Sequence, residues 1–339
     1  MRQLITFESA PRILSKATVV GRKEMQGPLS SYFDISDESD KFGKSTFEQA
    51  ESEMQRLALE AAIKGAKLEN KDVGAVFAGD LANQCTGSSY GLASFGIPFF
   101  GLYGACSTMA ESLMLAALTV DRKVYPVAAA VASSHNSAAE RQFRYPLEYG
   151  SQRPPSAQWT VTAAAAFLLG ENDGGEGSVH IVDAFPGKIV DMGITDQSDM
   201  GAAMAPAAAQ SIADYLAETG RKASDFDMIL TGDLGKEGHT LCRELLARNG
   251  VKTGDELGDC GMMIYDGEKQ DTHSGGSGCG CSGAVTAGYV MDLFRRGKIR
   301  DMLLCGTGAL MSPSALQQGL SIAGIGHIVH LKRGDTVAF

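Results

Sequence analysis

The chain has 339 residues, 44% of them hydrophobic, with 30 basic and 40 acidic side chains and a formal net charge of -10. Such a length holds one large or two medium domains around a sizeable core, and the acidic balance argues against a general nucleic-acid or anionic-membrane binder. No apolar run approaches the roughly 20 residues that span a bilayer, and the start MRQLITFESAPRILSK lacks the continuous apolar stretch of a signal peptide.

The first strong helical pattern is FEQAESEMQRLALEAAIKGAKL, followed at 72–81 by the short apolar run DVGAVFAGDL. Next comes LANQCTGSSYGLASFGIPFFGLYG, whose second part predicts an apolar edge strand. It leads into GACSTMAESLMLA, where Thr108 and Glu111 fit a capping box and Met109, Leu113 and Ala117 give a helical stripe. Cys106 therefore precedes a helix start, where free amide donors and the helix dipole favour a thiolate. It is either a nucleophile or a small residue packed under a helix. The run VAAAVAS lacks alternation, as a strand covered on both faces should. Residues 133–160, which begin SSHNSAAERQFRYPLEYG, predict an ordered excursion over a site or a dimer partner.

The second half repeats this plan. APAAAQSIADYLAETGRKA predicts a helix, and DFDMILTGDL at 225–234 repeats the Gly-Asp-Leu strand end. After a longer insert, roughly 235–280, CGCSGAVTAGYVMDLFRRGKIRDMLLCGTG matches GACSTMAESLMLAALTVDRKVYPVAAAVAS without a gap. Cys106 then falls opposite Cys281, and Asp80 opposite Asp233. The period is too long for a solenoid. An internal duplication of alternating strands and helices predicts an α/β protein with halves at 1–170 and 171–339, whose strand-end loops meet near the middle. The seven cysteines have no framework spacing, which fits a reducing compartment, and the C-x-C of Cys279 and Cys281 has no zinc-site partner pair. No metal and no cofactor is expected.

Two α/β halves with a cysteine at a central helix start resemble the thiolase and β-ketoacyl synthase superfamily. Within it, GLYGACSTMAES, ASSHNSAAERQFRYPLEYG, ILTGDLGKEG, GGSGCGCSGAV and GTGALMSPSALQQG are similar to the stage V sporulation protein AD family of spore-forming bacteria. The resemblance implies a thiolase-like fold in α-β-α-β-α layers and a homodimer paired through first-half sheet edges. It also implies binding of pyridine-2,6-dicarboxylic acid (dipicolinic acid) for uptake into the developing spore. Membrane proteins of the same system would be partners, at the cytoplasmic face of the spore inner membrane. Such a ligand could bring calcium with it, because a dicarboxylate offers hard oxygen donors.

Enzymes of this superfamily pair the cysteine with His and His, or His and Asn. Here the first partner position reads GDLGKEG, with His239 displaced into the next helix, and Cys279 occupies the other place, six residues after His273. An acid at Asp233 would raise the thiol pKa, the reverse of activation. The expected protein is a binder and not an enzyme; an acyltransferase using Cys106 is the alternative. Ligand-binding candidates are Cys106, Ser133, Ser134, His135, Asn136, Asp233, Cys279 and Gly308, the last in the GTGALMSP turn. Arg141, Arg144, Arg153 and Lys236 are candidate cations for a dicarboxylate.

Overall fold

A computed structural model describes residues 3–143, 153–171 and 177–334. The strands in chain order are β1 (Ile5–Thr6), β2 (Arg12–Val20), β3 (Ile35–Ser36), β4 (Ala75–Gly79), β5 (Phe99–Leu102), β6 (Val127–Ser134) and β7 (Trp159–Thr160). They continue with β8 (Ala163–Gly170), β9 (Val179–Phe185), β10 (Met228–Thr231), β11 (Leu257–Asp259), β12 (Gly276–Ser277), β13 (Asp301–Leu310) and β14 (Ala323–Arg333).

The main sheet runs β11-β10-β13-β14-β9-β2-β8-β6-β4-β5, with β1 on β9 and β3 on β2. The order mirrors itself about the β2–β9 junction: β4 matches β10, β6 matches β13, and the short strands β5 and β11 form the two edges. The junction is one register pair, Arg12 with His180. The sheets of the two halves are joined edge to edge there into one. Pairing is parallel among β5, β4 and β6 and among β11, β10 and β13, and antiparallel towards the junction.

β6 and β8, VAAAVASS and AAAAFLLG, are buried almost throughout. Their alanines let helices approach from both sides. The Thr108–Asp121 helix touches β6, β4 and β8 of one half and β13 and β14 of the other. The Cys279–Val285 helix lies beside it against β8 and β6. The Phe47–Gly65 helix covers the outer face of β2, β8 and β6, and the Met200–Thr219 helix covers β14 and β13. The result is five layers, α-β-α-β-α, as expected. Met109, Leu113 and Ala117 are fully buried in the middle one.

Candidate functional site

Cys106 sits in a 3-10 turn, Ala105–Ser107, that feeds the Thr108–Asp121 helix. The predicted capping box does not form. Thr108 Oγ1 instead accepts from the Gly104 amide at 3.1 Å and donates to the Ala105 carbonyl at 2.7 Å, while Glu111 Oε2 has no partner among the described residues. The extra 3-10 turn consumes the hydroxyl before it can cap the helix. Ala105 is held at φ 49°, in the left-handed region, where an L-residue is strained.

The opposing wall is β13. A Cβ added at Gly308 would collide with the Gly104 carbonyl oxygen, and one added at Gly306 would stand 2.6 Å from the Ala110 Cβ. Glycine is required at both places because the wall lies directly on the cysteine turn and its helix. Gly308 thus backs the cysteine turn.

Asp233, just past the end of β10, is fully buried. Its Oδ1 accepts from Thr307 Oγ1 at 2.6 Å; its Oδ2 accepts from Ser277 Oγ at 3.0 Å and from the Gly278 amide at 2.8 Å. Ser277 Oγ is 3.9 Å from Cys106 Sγ. Burial pushes the Cys106 thiol well above its ordinary value, and the Asp233 charge pushes it the same way. Burial also raises the Asp233 carboxyl, against its donors. The sequence twin Asp80 is engaged differently, accepting from the Ser88 and Ala82 amides on the outer side of its own half.

A narrow slot of about 40 Å³ opens at Cys106. Leu81, Tyr103, Phe143, Met200 and Met311 make its apolar walls, and Thr160, Gln197, Glu140 and Ser277 contribute polar groups. No lysine or arginine lines it among the described residues. Arg141 pairs with Glu48 at 3.2 Å and Arg153 with Asp271 at 2.8 Å. Lys236 lies by a separate surface hollow, and Arg144 lies outside the described residues.

The other candidates turn away from the slot. Ser133 Oγ donates to Glu51 at 2.9 Å and accepts from Gln55 at 2.8 Å on the outer face of β6. Ser134 Oγ donates to the Val161 carbonyl at 2.7 Å. His135 Nε2 lies 2.8 Å from the Asp40 carbonyl, and Nδ1 accepts from the Ser137 amide at 3.2 Å, which makes the ring neutral. The Asn136 amide donates to Thr162 Oγ1 at 3.1 Å. Cys279 Sγ donates to the Ser133 carbonyl at 2.9 Å, tying the two central regions together. Only Cys106 among the eight lines the slot; Asp233 and Gly308 stand directly behind it, and Ser277 and Thr307 join them.

All six histidines bond elsewhere. His239, inside the Gly235–Arg248 helix, reaches the Leu257 carbonyl, and His273 reaches that of Pro154. His135 faces Asp40, His180 faces Ala10, His327 accepts from the Gly187 amide and His330 lies between two aspartates. No imidazole stands beside Cys106 to take its proton. Among the described residues no three or more His, Cys, Asp or Glu side chains cluster as a metal centre.

Comparison with known proteins gives a family and a fold. The family model for stage V sporulation protein AD matches residues 1–332. The stage V sporulation protein AD of Bacillus subtilis (strain 168) is 39% identical over 332 residues, covering 98% of this chain and 97% of that one. Among solved structures, OleA from Xanthomonas campestris superposes with a TM-score of 0.62 at 11% identity, over 97% of this chain and 99% of that one. The 3-oxoacyl-[acyl-carrier-protein] synthase III of Aquifex aeolicus VF5 gives 0.56 at 10% identity, over 95% and 99%. The likeness to these synthases is one of fold.

Proposed function

The chain belongs to the stage V sporulation protein AD family, and on that premise we propose that it binds pyridine-2,6-dicarboxylic acid without turning it over. Its role is in sporulation; the finer reading is a ligand carrier needed to load the acid into the developing spore. The observation that supports a non-catalytic site is that none of the six histidines stands beside Cys106, where acyl-transfer chemistry needs an imidazole to take and return the proton. A thiol raised well above its ordinary value is almost entirely protonated at neutral pH.

In this reading the ring lies between Met200, Met311 and the small residues at the cysteine turn, and the slot of about 40 Å³ widens to admit it. Hydroxyls of Tyr103 and Thr160 and the Gln197 amide are the donors available to its carboxylates, since Ser277 donates to Asp233. With no lysine or arginine in the described lining, recognition rests on these neutral donors.

The protein works as a homodimer in this reading. Phe99, Phe100 and Tyr103 are 40%, 45% and 44% exposed along the free edge β5, an edge that a second copy would cover. No helix among the described residues is long and apolar enough to cross a membrane. Attachment to the cytoplasmic face of the spore inner membrane would then come from membrane proteins of the same system.

Equilibrium dialysis, read by ultraviolet absorbance of the dicarboxylate, tests the reading. Wild type should retain the ligand, and Cys106→Trp, which fills the slot, should lose it while keeping its oligomeric state. Equal retention by both would overturn it. An acyl adduct on Cys106 after incubation with an acyl thioester, seen by intact mass, would support the acyltransferase instead.

A further inference from the structure

Glu24 lies in the short helix Arg22–Met25 and is fully buried. Its Oε1 accepts from the Thr162 amide at 3.0 Å and from the Tyr265 hydroxyl. Its Oε2 is buried with no partner among the described residues. A buried carboxylate oxygen left unpaired costs on the order of several kcal/mol and calls for an occupant.

Asp40 supplies the second wall. Held at φ 57°, it turns its carboxylate back so that Oδ1 accepts from the Arg22 amide at 2.7 Å. Both acids converge on Gly21, where an added Cβ would collide with Asp40 Oδ1 and stand 2.9 Å from Glu24 Oε2. The neighbouring lysines are directed at aromatic rings. Lys23 Nζ sits 4.1 Å above the Trp159 ring, and Lys41 Nζ sits 5.5 Å from the Phe47 ring. Asp40 is partly exposed, which leaves a path for a hydrated ion.

We propose that Glu24 Oε2 and Asp40 Oδ1 hold a hard divalent cation of calcium chemistry, with water completing its oxygen shell. Two carboxylates are few donors, so binding belongs at the weak end of calcium sites, roughly 10⁻⁴–10⁻³ M.

In this position the cation has a structural role. The Asp40 carbonyl bonds His135, and Thr162, whose amide bonds Glu24, takes the Asn136 amide on its hydroxyl. The cation thus fixes the turn that starts the Asn136–Phe143 helix, and that helix carries Ala139, Glu140 and Phe143 to the slot. None of these contacts depends on the identity of the slot's ligand.

Terbium luminescence excited through tyrosine tests the site, with no dicarboxylate present. Tyr265 bonds Glu24 and should sensitise a bound ion. Wild type should give emission that calcium displaces, and calcium should raise its melting temperature. Both effects should be lost in Glu24→Gln and in Asp40→Asn; the second removes a partly exposed group and keeps the test open if the first misfolds. Equal emission and equal calcium displacement in wild type and both variants would assign the ion to surface carboxylates and overturn the site. So would a wild-type melting temperature indifferent to calcium together with a higher one for Glu24→Gln, which would mean that the two acids share a proton.

Discussion

Ser277 stands between Asp233 and Cys106: its hydroxyl donates to the Asp233 carboxylate at 3.0 Å and lies 3.9 Å from the thiol sulfur. The hydroxyl spends its one proton on the acid and shows the thiol only a lone pair, while the Asp233 charge acts on the thiol directly. The thiol pKa is therefore the quantity to measure. Alkylation of Cys106 followed against pH by mass spectrometry should show no inflection up to pH 9. Asp233→Asn should lower the thiol pKa, because one of its two main causes is removed, yet leave it above the ordinary value, because burial remains. An inflection below pH 8 in wild type would contradict the assignment.

Ala105 should tolerate glycine and reject a branched side chain. Its left-handed φ of 49° costs alanine about 1 kcal/mol. Glycine escapes that cost but gives back about 0.5–1 kcal/mol through unfolded-state entropy. Ala105→Gly should thus leave stability unchanged within about 0.5 kcal/mol, and Ala105→Val should cost about 2 kcal/mol or more. Urea unfolding of the two variants checks the pair.

His330 makes stability depend on pH. Burial alone would lower its pKa, but hydrogen bonds to Asp183 and Asp301 outweigh it and raise the group above its ordinary value. Nδ1 lies 2.9 Å from Asp183 and Nε2 2.7 Å from Asp301, so both nitrogens donate and the ring is an imidazolium. A raised folded-state pKa stabilises fully below the unfolded value near 6.5 and is lost as pH rises through the folded value. Melting temperature should fall from pH 6 to pH 9 in wild type, and this component of the slope should vanish in His330→Gln. That variant should cost about 2 kcal/mol at pH 6, since each aspartate loses a charged donor but Asp301 keeps Arg221 and Asp183 keeps the Tyr215 hydroxyl.

The β5 edge should control association. Phe99→Lys places a charge on the free edge, and light scattering at micromolar concentration should then report a monomer where wild type is a dimer. The circular dichroism of the variant should be unchanged, because Phe99 is 40% exposed and is not needed for the core.

Much of the architecture is legible in the chain itself. The two Gly-Asp-Leu runs close β4 and β10, the unalternating run VAAAVAS becomes β6 and its repeat in the second half becomes β13, and Cys106 does begin a central helix. Period and duplication survive folding because they are backbone properties. Side-chain direction at strand ends does not. Ser133, Ser134 and His135 lie at the end of β6 as expected, but each is claimed by a neighbour remote in sequence: Glu51, Val161 and Asp40. Ser277 carries no signal at all, being a small residue in a glycine-rich run. Glu24, in GRKEMQG, looks like an exposed turn residue until Thr162 and Tyr265 close over it.

The three donors on Asp233 bear on how hard this site would be to re-engineer. Thr307, Ser277 and the Gly278 amide all point protons at one spot. A histidine placed there by a single exchange would meet a surround built for a double acceptor, and at least one buried donor would lose its partner. Seating an imidazole at this position is consequently a problem of several coordinated changes, with each intermediate less stable than the starting protein.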